Sequence, residues 1–596
     1  MGLFVLLSLS AQSGQGFSPE AGMCGRLVTG VGSAIRRSHL SGTAAKRWYA
    51  RFASRWRINN PLQVNNLPHR DPAILITSGR RLVSMAYEVS RRYFFFGSLL
   101  AGAVPRAGFG STASLKALGY KSPNEKLNVA SIGAGGKAAS DIRGCAASEN
   151  IVALCDVDDK QAAAIYKTFE KPPKYKDFRK MLDKEGSGID AVIVTIPDHM
   201  HATAAMHCME RGKHVYVQKP LAHTIWECRQ LAEAANRYKV ATQMGNQGYS
   251  NEGTRQCAEM IWSGEIGNVT EVHAWTDRPI WPQGVTEIPA ETPVPGTLDW
   301  DLWLGIANQR AFTAGGTGYP AGFADGGFYL PANWRGFYDF GCGALGDMAC
   351  HIFGASNMAL KLGAPTSVEC IKKEGPSPFM FPKKSVIRFD FPARGSMPAV
   401  KLFWYDALKE APKIAGVPEG EYLGDLPTPA RPQGQGGAGR GGRGQGGGMQ
   451  APRTEGTGRV FNWAQIEALQ QNPPTRPATP DGSLFVGDKG MITTGTYGEQ
   501  TRLLPVEKMK DYTFPQPILT RSPGHYHDWI RACKGGEAAC SNFNVSGPFT
   551  EWIALGVISL HFEGKLEWDP VKMRITNNAE ANKYLKPSFR KGWSFV

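Results

Sequence analysis

The feature that most constrains this chain is a short apolar stretch that ends in a run of glycines. Residues 127–132 are a strand candidate, and Gly133-Ala134-Gly135-Gly136-Lys137-Ala138 follows them directly in a G-x-G-x-x-A pattern. The first glycine permits a tight turn, the second lets the backbone approach a pyrophosphate, and the final alanine allows a helix to pack closely on the strand. The start of such a helix also attracts an anion. The pattern therefore predicts a dinucleotide site, with contacts from Gly133, Ala134, Gly135, Gly136 and Lys137.

An acidic residue stands where a dinucleotide site needs one. Asp156 follows the second apolar stretch, residues 151–155, and lies 21 positions after Gly135. A carboxylate there accepts hydrogen bonds from the ribose hydroxyls and repels a 2′-phosphate, which favours NAD over NADP. A basic residue nearby would still accommodate that phosphate, so NADP stays open as a second cofactor.

Apolar strands alternate with helical segments in the region that follows. Strand candidates at 127–132, 151–155, 191–196 and 214–217 are separated by helical patterns such as 159–169, 201–211 and 224–238. This alternation predicts an α/β chain with a doubly wound parallel sheet, a Rossmann domain, over residues 125–247. After residue 248 the sequence changes to Trp-rich loops and alternating segments such as 269–275, 386–391 and 399–405. We therefore expect a second α/β domain, residues 248–596, built on a largely antiparallel sheet.

A low-complexity tract interrupts the second domain. Residues 432–448 contain ten glycines among seventeen residues. Such a tract cannot bury enough apolar surface to offset the entropy of ordering it, so we expect a disordered insert at 428–456. A Gly/Arg segment that binds RNA is the alternative, but the tract's two arginines are few for that role.

The net charge of +15 is concentrated at the start of the chain. Residues 1–120 hold 15 Lys and Arg against 3 Asp and Glu, a charge of +12, which leaves +3 for the other 476 residues. A near-neutral body gives no support to a nucleic-acid groove.

The cysteines and histidines give little support to metal chemistry. The 11 cysteines are scattered and contain no C-x-x-C pair, which excludes a zinc ribbon and a thioredoxin-type motif. Cys533 and Cys540 could bridge across a short loop, but two free thiols are the simpler expectation. His525 and His527 have no evident third ligand, so we expect core or interface histidines and no metal site.

The segment before the first domain has the pattern of an export signal. Arg91 and Arg92 precede a short, moderately apolar, glycine-containing stretch at residues 96–104, which is typical of signals read by the twin-arginine machinery for folded proteins. The stretch is too short for a stable membrane anchor. We expect a signal and linker at 85–120 and a periplasmic or other extracytoplasmic location. Residues 1–84 are either a disordered extension or sequence upstream of a true start at Met85.

Further motifs occur in order along the chain. They are Thr195-Ile196-Pro197-Asp198-His199-Met200-His201, Gln218-Lys219-Pro220-Leu221, Thr242-Gln243-Met244-Gly245-Asn246-Gln247, Gly264-Glu265-Ile266-Gly267, Trp300-Asp301-Leu302-Trp303-Leu304-Gly305 and Gly346-Asp347-Met348-Ala349-Cys350-His351. From residue 126 onward the chain resembles the Gfo/Idh/MocA oxidoreductases, most closely their exported branch. The resemblance implies an open sheet in the second domain that lines the substrate site. It also implies assembly into homo-oligomers, and sugars, inositols or other polyols as substrates. In one place the sequence departs from the family, because the usual Glu-Lys-Pro is Gln218-Lys219-Pro220 here, and loss of that carboxylate should ease deprotonation of Lys219.

Three residues are candidates for catalysis. Oxidation of a secondary alcohol needs a hydride acceptor, a base and a charge that stabilises the alkoxide. Asp347 and His351 are four residues apart, so a helix would put both on one face. His351 is the candidate base because histidine titrates near neutrality, and Asp347 would orient its imidazole or bind a neighbouring hydroxyl. Lys219 ends a parallel strand, and the resemblance puts it beside the nicotinamide ribose and the reacting oxygen. The simpler alternative for Lys219 is a solvated strand end, and for Asp347 and His351 it is a hydrogen-bonded pair on a helix surface.

Other candidates surround the same crevice. Further cofactor contacts are expected from Thr195, Pro197, His201, Lys219 and Gln247, and substrate contacts from Asn246, Trp334, Arg335 and Tyr338. His201 could instead cap its helix. Trp275 is a further candidate for a sugar platform, although aromatic residues are more often core.

These features together predict an NAD(P)-dependent oxidoreductase that acts on a sugar, polyol or glycoside through a tightly bound nicotinamide. Tight binding follows from export, because free NAD is scarce outside the cytoplasm and an enzyme that released it would stop after one turnover. The hydride would then pass to a second sugar, or return to the same substrate after an elimination or hydrolysis, as in NAD-dependent glycosidases. A non-catalytic nucleotide-binding protein is a third alternative.

Overall fold

The computed structural model describes residues 124–314, 327–430, 460–474 and 481–595. All of them belong to the second of the two units into which the chain divides, residues 113–596. The predicted extension at 1–84, the signal and linker up to residue 120 and most of the insert at 428–456 lie outside the described residues. Within the described ranges, no helix has both the length and the apolarity to cross a bilayer.

The first domain is a parallel sheet with helices on both faces. Its strands are β1 (Asn128–Ile132), β2 (Asn150–Cys155), β3 (Lys174–Tyr175), β4 (Ala191–Val194), β5 (His214–Val217) and β6 (Thr242–Met244). Its helices are α1 (Lys137–Ala146), α2 (Asp159–Thr168), α3 (Phe178–Glu185), α4 (Asp198–Glu210) and α5 (Ile225–Tyr238), with a 3-10 turn at Gly186–Gly188. The strand order β3-β2-β1-β4-β5-β6 reverses between β1 and β4. This is Rossmann topology, which binds ligands in the crevice at that reversal.

Local signals in the sequence start these helices. Asp158 caps α2 by accepting a hydrogen bond from the backbone N–H of Lys160. Thr224 and Glu227 form a reciprocal capping box at the start of α5. Helix α4 begins at Asp198, three residues before the predicted start, directly after Pro197, which has no N–H to leave unpaired at a helix start.

The second domain is built on a nine-stranded sheet. Its strands are β7 (Val269–Trp275), β8 (Ser367–Glu374), β9 (Lys384–Phe391), β10 (Val400–Tyr405), β11 (Gly482–Gly487), β12 (Met491–Thr494), β13 (Arg502–Leu504), β14 (Lys565–Asp569) and β15 (Arg574–Ile575). Among the described strands, β7 and β10 pair in parallel and the remaining neighbours are antiparallel. Burial alternates along β9, as expected for a sheet with one covered face. The predicted fold class is confirmed.

Helices of the second domain flank this sheet. They are α6 (Glu252–Trp262), α7 (Trp300–Leu304), α8 (Cys350–Ile352), α9 (Gly354–Ala359), α10 (Trp463–Gln471), α11 (His525–Cys533) and α12 (Phe543–Ser559). Shorter turns are the 3-10 segments Gln247–Ser250, Asn333–Gly336, Val506–Met509 and Glu580–Tyr584, and the π-helix Leu345–Ala349. Helix α11 returns to the first domain, where Trp529 and Cys533 pack in one buried cluster with Val129, Ile142 and Tyr216. The two domains therefore share packing beside the crevice.

Several isolated residues have clear structural roles. Cys533 and Cys540 are free thiols. Trp275 is fully buried against Leu484 and Leu504, which makes it a core residue and corrects its assignment as a sugar platform. In the part of the chain that the structure describes, no three His, Cys, Asp or Glu side chains are grouped to hold a metal ion.

Candidate active site

The glycine turn after β1 has room only for glycine at two positions. A Cβ on Gly133, where φ is +94°, would lie 2.1 Å from the carbonyl oxygen of Thr195, and one on Gly135 would lie 2.7 Å from that of Gln161. A Cβ on Gly136 would meet open space, and no side chain caps the first turn of α1 there. The turn thus presents backbone and a helix N-terminus on its open side, which fits a pyrophosphate.

Asp156 holds this turn to the end of β2. Its Oδ2 accepts hydrogen bonds from the N–H groups of Ala134 and Gly135 at 2.8 and 3.1 Å, and its Oδ1 accepts one from Asp158 at 3.0 Å. Burial raises the pKa of Asp156, and these three donors oppose that shift. A carboxylate offers about four acceptor positions, so one remains for a ribose hydroxyl.

An ion cluster joins the end of β5 to the second domain. The Nζ of Lys219 donates to Asp347 at 2.6 Å from Oδ1 and 2.7 Å from the main-chain oxygen, and Arg335 Nε lies 3.2 Å from the same Oδ1. The side chains of Lys219 and Asp347 are 14% and 13% exposed. Burial raises the pKa of Asp347, but the charges of Lys219 and Arg335 outweigh it and hold that pKa well below its usual range.

His351 lies in α8, directly after the π-helix that carries Asp347. Burial, followed by the positive charge of Lys219, lowers the pKa of His351 well below its usual range. Its Nδ1 is buried without a hydrogen-bond partner among the described residues, and its ring centre is 4.6 Å from that of Tyr497. The expectation that His351 titrates near neutrality is therefore wrong, because burial keeps the imidazole neutral. Asp347 makes its hydrogen bonds with Lys219 and Arg335, which corrects the role of imidazole orienter.

The predicted substrate residues fall into two groups. The guanidinium of Arg335 lies 4.3 Å from the ring centre of Trp334, beside the ion cluster. Asn246 donates to the main-chain oxygen of Cys350, next to His351, and its Oδ1 has no partner within the described ranges. Tyr338 differs, because its ring packs against Phe381 and His561 at 4.4 and 4.2 Å. Tyr338 is half-buried and packs against the edge of the core, so its substrate contact stays a prediction.

One predicted cofactor contact is also corrected. His201 is buried, and its two ring nitrogens lie 2.7 and 2.8 Å from the carbonyl oxygens of Pro220 and Ile196. Burial lowers the pKa of His201 to about 4, so the neutral ring donates its one N–H to one of these two oxygens. His201 therefore lies between the ends of two strands, with both nitrogens facing the backbone. Pro197 precedes the first turn of α4. Gln247 begins the 3-10 turn after β6 and is half-buried.

The other two predicted cofactor side chains reach a residue that the sequence did not single out. Lys137 and Thr195 both donate to the carboxylate of Asp141 on α1. Asp141 is fully buried. An available signal was its place on the apolar face of α1 with Ala138 and Ile142, four residues after a lysine.

Asp198 is a second residue that sequence reasoning missed. Its Oδ2 accepts a hydrogen bond from the backbone N–H of Cys342 at 3.1 Å, and the residue is 5% exposed. Burial raises the pKa of Asp198 to about 7, although the charges of Arg335 and Lys219 lower it. An available signal was its place directly before His199 in the motif that follows β4.

Comparisons with known proteins bear on the first domain. Residues 127–246 match the Gfo/Idh/MocA family model, described as an oxidoreductase family with an NAD-binding Rossmann fold. An inositol 2-dehydrogenase of Salmonella typhimurium is 31% identical over 125 residues, which cover 21% of this chain and 37% of that protein. A glycosyl hydrolase family 109 protein of Shewanella sp. strain ANA-3 is 34% identical over 140 residues, 22% of this chain and 30% of that protein. The chain thus matches about a third of the length of these curated relatives.

Similarity to solved structures covers a larger part of the chain than the curated relatives do, but at lower sequence identity. The WlbA dehydrogenase of Chromobacterium violaceum, in complex with NADH and UDP-GlcNAcA, is 15% identical, with 75% of this chain and 97% of that chain covered and a TM-score of 0.45. The family match coincides with the sheet, glycine turn and acidic residue described above. Residues 127–246 therefore form a Rossmann domain that matches the NAD-binding Gfo/Idh/MocA family model.

Proposed function

We propose that this protein is an NAD(P)-dependent oxidoreductase that transfers hydride between a secondary alcohol of a sugar, polyol or glycoside and a tightly bound nicotinamide. The observation that carries the proposal is the 2.6 Å contact between Lys219 and Asp347. It joins the carboxyl end of a Rossmann strand, where such sheets bind ligands, to the second domain. Arg335 extends the cluster on the side of that domain.

The nucleotide would be held by the residues that fit it. The open side of the glycine turn faces the pyrophosphate, and Asp156 takes a ribose hydroxyl and opposes a 2′-phosphate, which favours NAD over NADP. When bound, the nicotinamide supplies the hydride acceptor.

Lys219 and His351 would have separate roles at the substrate hydroxyl: Lys219 stabilises the alkoxide and His351 accepts the proton. The ammonium of Lys219 has three hydrogens, and two of them are used on Asp347 within the described residues. The third is available to the reacting oxygen, where its charge favours the alkoxide. His351 is held neutral by burial, so an imidazole nitrogen accepts the hydroxyl proton. Asp347 then lies close enough for its charge to stabilise the imidazolium.

Arg335 and Asn246 would orient the substrate. Trp334 supports the plane of the Arg335 guanidinium, and only its Nε is committed to Asp347. The Oδ1 of Asn246 is unpartnered within the described residues but fully buried, so Asn246 would act through its hydrogen bond to the main-chain oxygen of Cys350, next to His351. The unused N–H groups of Arg335 suit the hydroxyls of a polyhydroxylated substrate.

A redox-assisted glycosidase is the second candidate. The 34% identity to a glycosyl hydrolase family 109 protein favours it. In that reaction oxidation acidifies the neighbouring C–H, the glycosidic group leaves, water adds, and hydride returns to the sugar. The hydroxyl of Tyr497, whose ring centre lies 4.6 Å from that of His351, would supply the second base. A protein that binds the nucleotide without turnover is the remote third candidate.

The protein is further proposed to be exported in folded form by the twin-arginine machinery, with its nucleotide already bound, and to assemble as a homo-oligomer. Arg91 and Arg92 support the export proposal. Replacing both by lysine should retain the precursor in the cytoplasm. Sequencing of the precursor's N-terminus tests the proposed start at Met85, and a native peptide from residues 1–84 would contradict it. Sedimentation of the purified protein tests assembly.

One experiment tests the function. Purified protein is denatured and the released nucleotide is identified. Native protein is then mixed with myo-inositol, glucose, glucuronate and p-nitrophenyl glycosides, while nicotinamide reduction and nitrophenol release are followed separately. Reduction without release supports the oxidoreductase, and release that requires bound nucleotide supports the glycosidase. Absence of nucleotide, with no binding of added NAD, would refute the proposal.

A further inference from the structure

One buried carboxylate beside the glycine turn is saturated with donors. Asp141 has no exposed surface and accepts hydrogen bonds from Tyr526 at 2.7 Å and from Thr195 and Gln218 at 2.9 Å each, together with the ammonium of Lys137. A carboxylate offers about four acceptor positions, so Asp141 uses all of them. A site this complete holds one geometry, because any displacement breaks a buried hydrogen bond.

The four donors come from segments that are separate in sequence. Lys137 opens the helix after the glycine turn, Thr195 follows β4, Gln218 directly precedes Lys219, and Tyr526 belongs to α11. Asp141 therefore connects the nucleotide turn, two strand ends and the returning helix. Gly144 permits this approach, since a Cβ there would lie 2.3 Å from the ring of Tyr526.

Gln218 transmits this arrangement to the lysine. Its amide nitrogen lies 2.9 Å from Asp141 and 3.3 Å from the hydroxyl of Tyr216, while its Oε1 accepts the backbone N–H of Lys219 at 3.3 Å. A glutamate at 218 would have no such donor and would face Asp141 as a second carboxylate. The departure from Glu-Lys-Pro therefore does not remove the local anion: the carboxylate is supplied by Asp141 instead.

We propose that Asp141 is a positioning residue for the oxidoreductase reaction, which through Gln218 fixes Lys219 relative to the nucleotide turn. The inference rests on the proposed function. It predicts that the position of the carboxylate can be exchanged between residues 141 and 218, because either arrangement places one acceptor opposite one amide donor.

A matched control exists in the same domain. Glu149 is also a buried carboxylate that accepts a lysine, Lys534 at 2.8 Å, together with the backbone N–H of Leu127. It lies at the start of the sheet, away from the carboxyl ends of the strands. Glu149→Gln removes the same charge from the same domain without touching Gln218.

The experiment compares Asp141→Asn, Gln218→Glu, the double variant D141N/Q218E and Glu149→Gln. Each is purified with its nucleotide and assayed with the sugar that reduces the wild-type protein fastest in the panel above. The nucleotide released on denaturation reports nucleotide binding, and urea unfolding reports stability. Each single variant should lower kcat/KM roughly 10- to 100-fold, because small displacements at a reacting centre have effects of that size. The double variant should recover most of that loss, while Glu149→Gln should lose stability but retain kcat/KM and its bound nucleotide.

The outcomes separate positioning from simple support of the fold. If Asp141→Asn changes only the unfolding midpoint, as Glu149→Gln does, the inference is overturned. The same holds if D141N/Q218E is no better than either single variant. Should Asp141→Asn fail to fold, folding and turnover of the double variant support the inference, and its failure overturns it. A wild-type protein that binds no nucleotide overturns the proposed function as well, whereas normal wild-type turnover with an unaffected Asp141→Asn overturns the positioning role alone.

Discussion

Two carboxylates near the crevice each bind a lysine, yet their surroundings differ. Asp141 is closed off from solvent and shares its oxygens among four donors, only one of them charged. Asp347 is partly exposed and faces two cations, Lys219 and Arg335, which keep unused N–H groups. The saturated carboxylate can only hold its neighbours in place, whereas the open cluster has charge and donors left for a substrate.

The sharpest test of this difference replaces the two lysines separately. Lys219→Ala should lower turnover by about 10³-fold or more, because it removes both the donor to the reacting oxygen and its charge. The nucleotide should stay bound, since the glycine turn and Asp156 are untouched. Turnover and the nucleotide released on denaturation are measured for each preparation.

Lys137→Ala serves as the comparison, since it also removes a lysine from a carboxylate. Its loss should lower turnover by less than about tenfold, because Asp141 keeps three other donors. Equal losses of turnover in the two variants would contradict the distinction between the saturated carboxylate of Asp141 and the ion cluster around Asp347.

Asp347→Asn should have the next largest effect, a fall in kcat of about 10²-fold, because Lys219 and Arg335 lose the charge that aligns them. It should also change the response to acid. The pKa of Asp347 is held low in the fold, so its ion pairs stabilise the protein above about pH 4 and that contribution is lost as the pH falls further. Urea unfolding between neutral pH and pH 3 should therefore show a stability gap between wild type and variant that narrows in acid; a constant gap would count against it.

The fold was predictable because its signals are local. The apolar strands, the glycine turn and Asp156 are read directly from spacing, and they specify the parallel sheet and its crevice. The return of α11 to the first domain was not predictable, because Trp529 and Cys533 share a buried cluster with Val129 and Ile142, which lie hundreds of residues earlier in the chain.

The site was predictable only where a residue type itself carries the chemistry. Lys219 and Asp347 were candidates from their motifs, but the role of Arg335 between them depends on a contact that spacing does not encode. His351 was assigned an ordinary histidine pKa because burial is invisible in sequence. Asp141 was missed because an acid on an apolar helix face needs its partners from three other segments before its role is apparent.

At Asp198 we expect a smaller effect on turnover than at Asp347. The pH dependence of stability should have the opposite sign. Burial raises the pKa of Asp198 to about 7, so its folding contribution is present below about pH 4 and is lost as the pH rises towards 7. Asp198→Asn, which mimics the protonated acid, should gain stability over wild type by up to roughly 4 kcal/mol across that interval. Urea unfolding of both proteins at matched pH values measures it. A variant that instead loses stability relative to wild type as the pH rises would place Asp198 with Asp347 and contradict its raised pKa.

Arg335→Lys should give the smallest change. Lysine keeps the positive charge near Asp347 but loses the planar guanidinium that lies 4.3 Å from the ring centre of Trp334. We expect the KM for the sugar to rise by about tenfold or less with little change in kcat, since one planar contact of this kind contributes about 1 kcal/mol. Arg310→Lys is the control, because Arg310 also lies over an aromatic ring, that of Phe340, but pairs with Asp339 outside the ion cluster. If Arg335→Lys lowered kcat as strongly as Asp347→Asn, Arg335 would belong with the residues that act on the reacting oxygen. The ion cluster would then need the charges of Lys219, Asp347 and Arg335 for the chemical step.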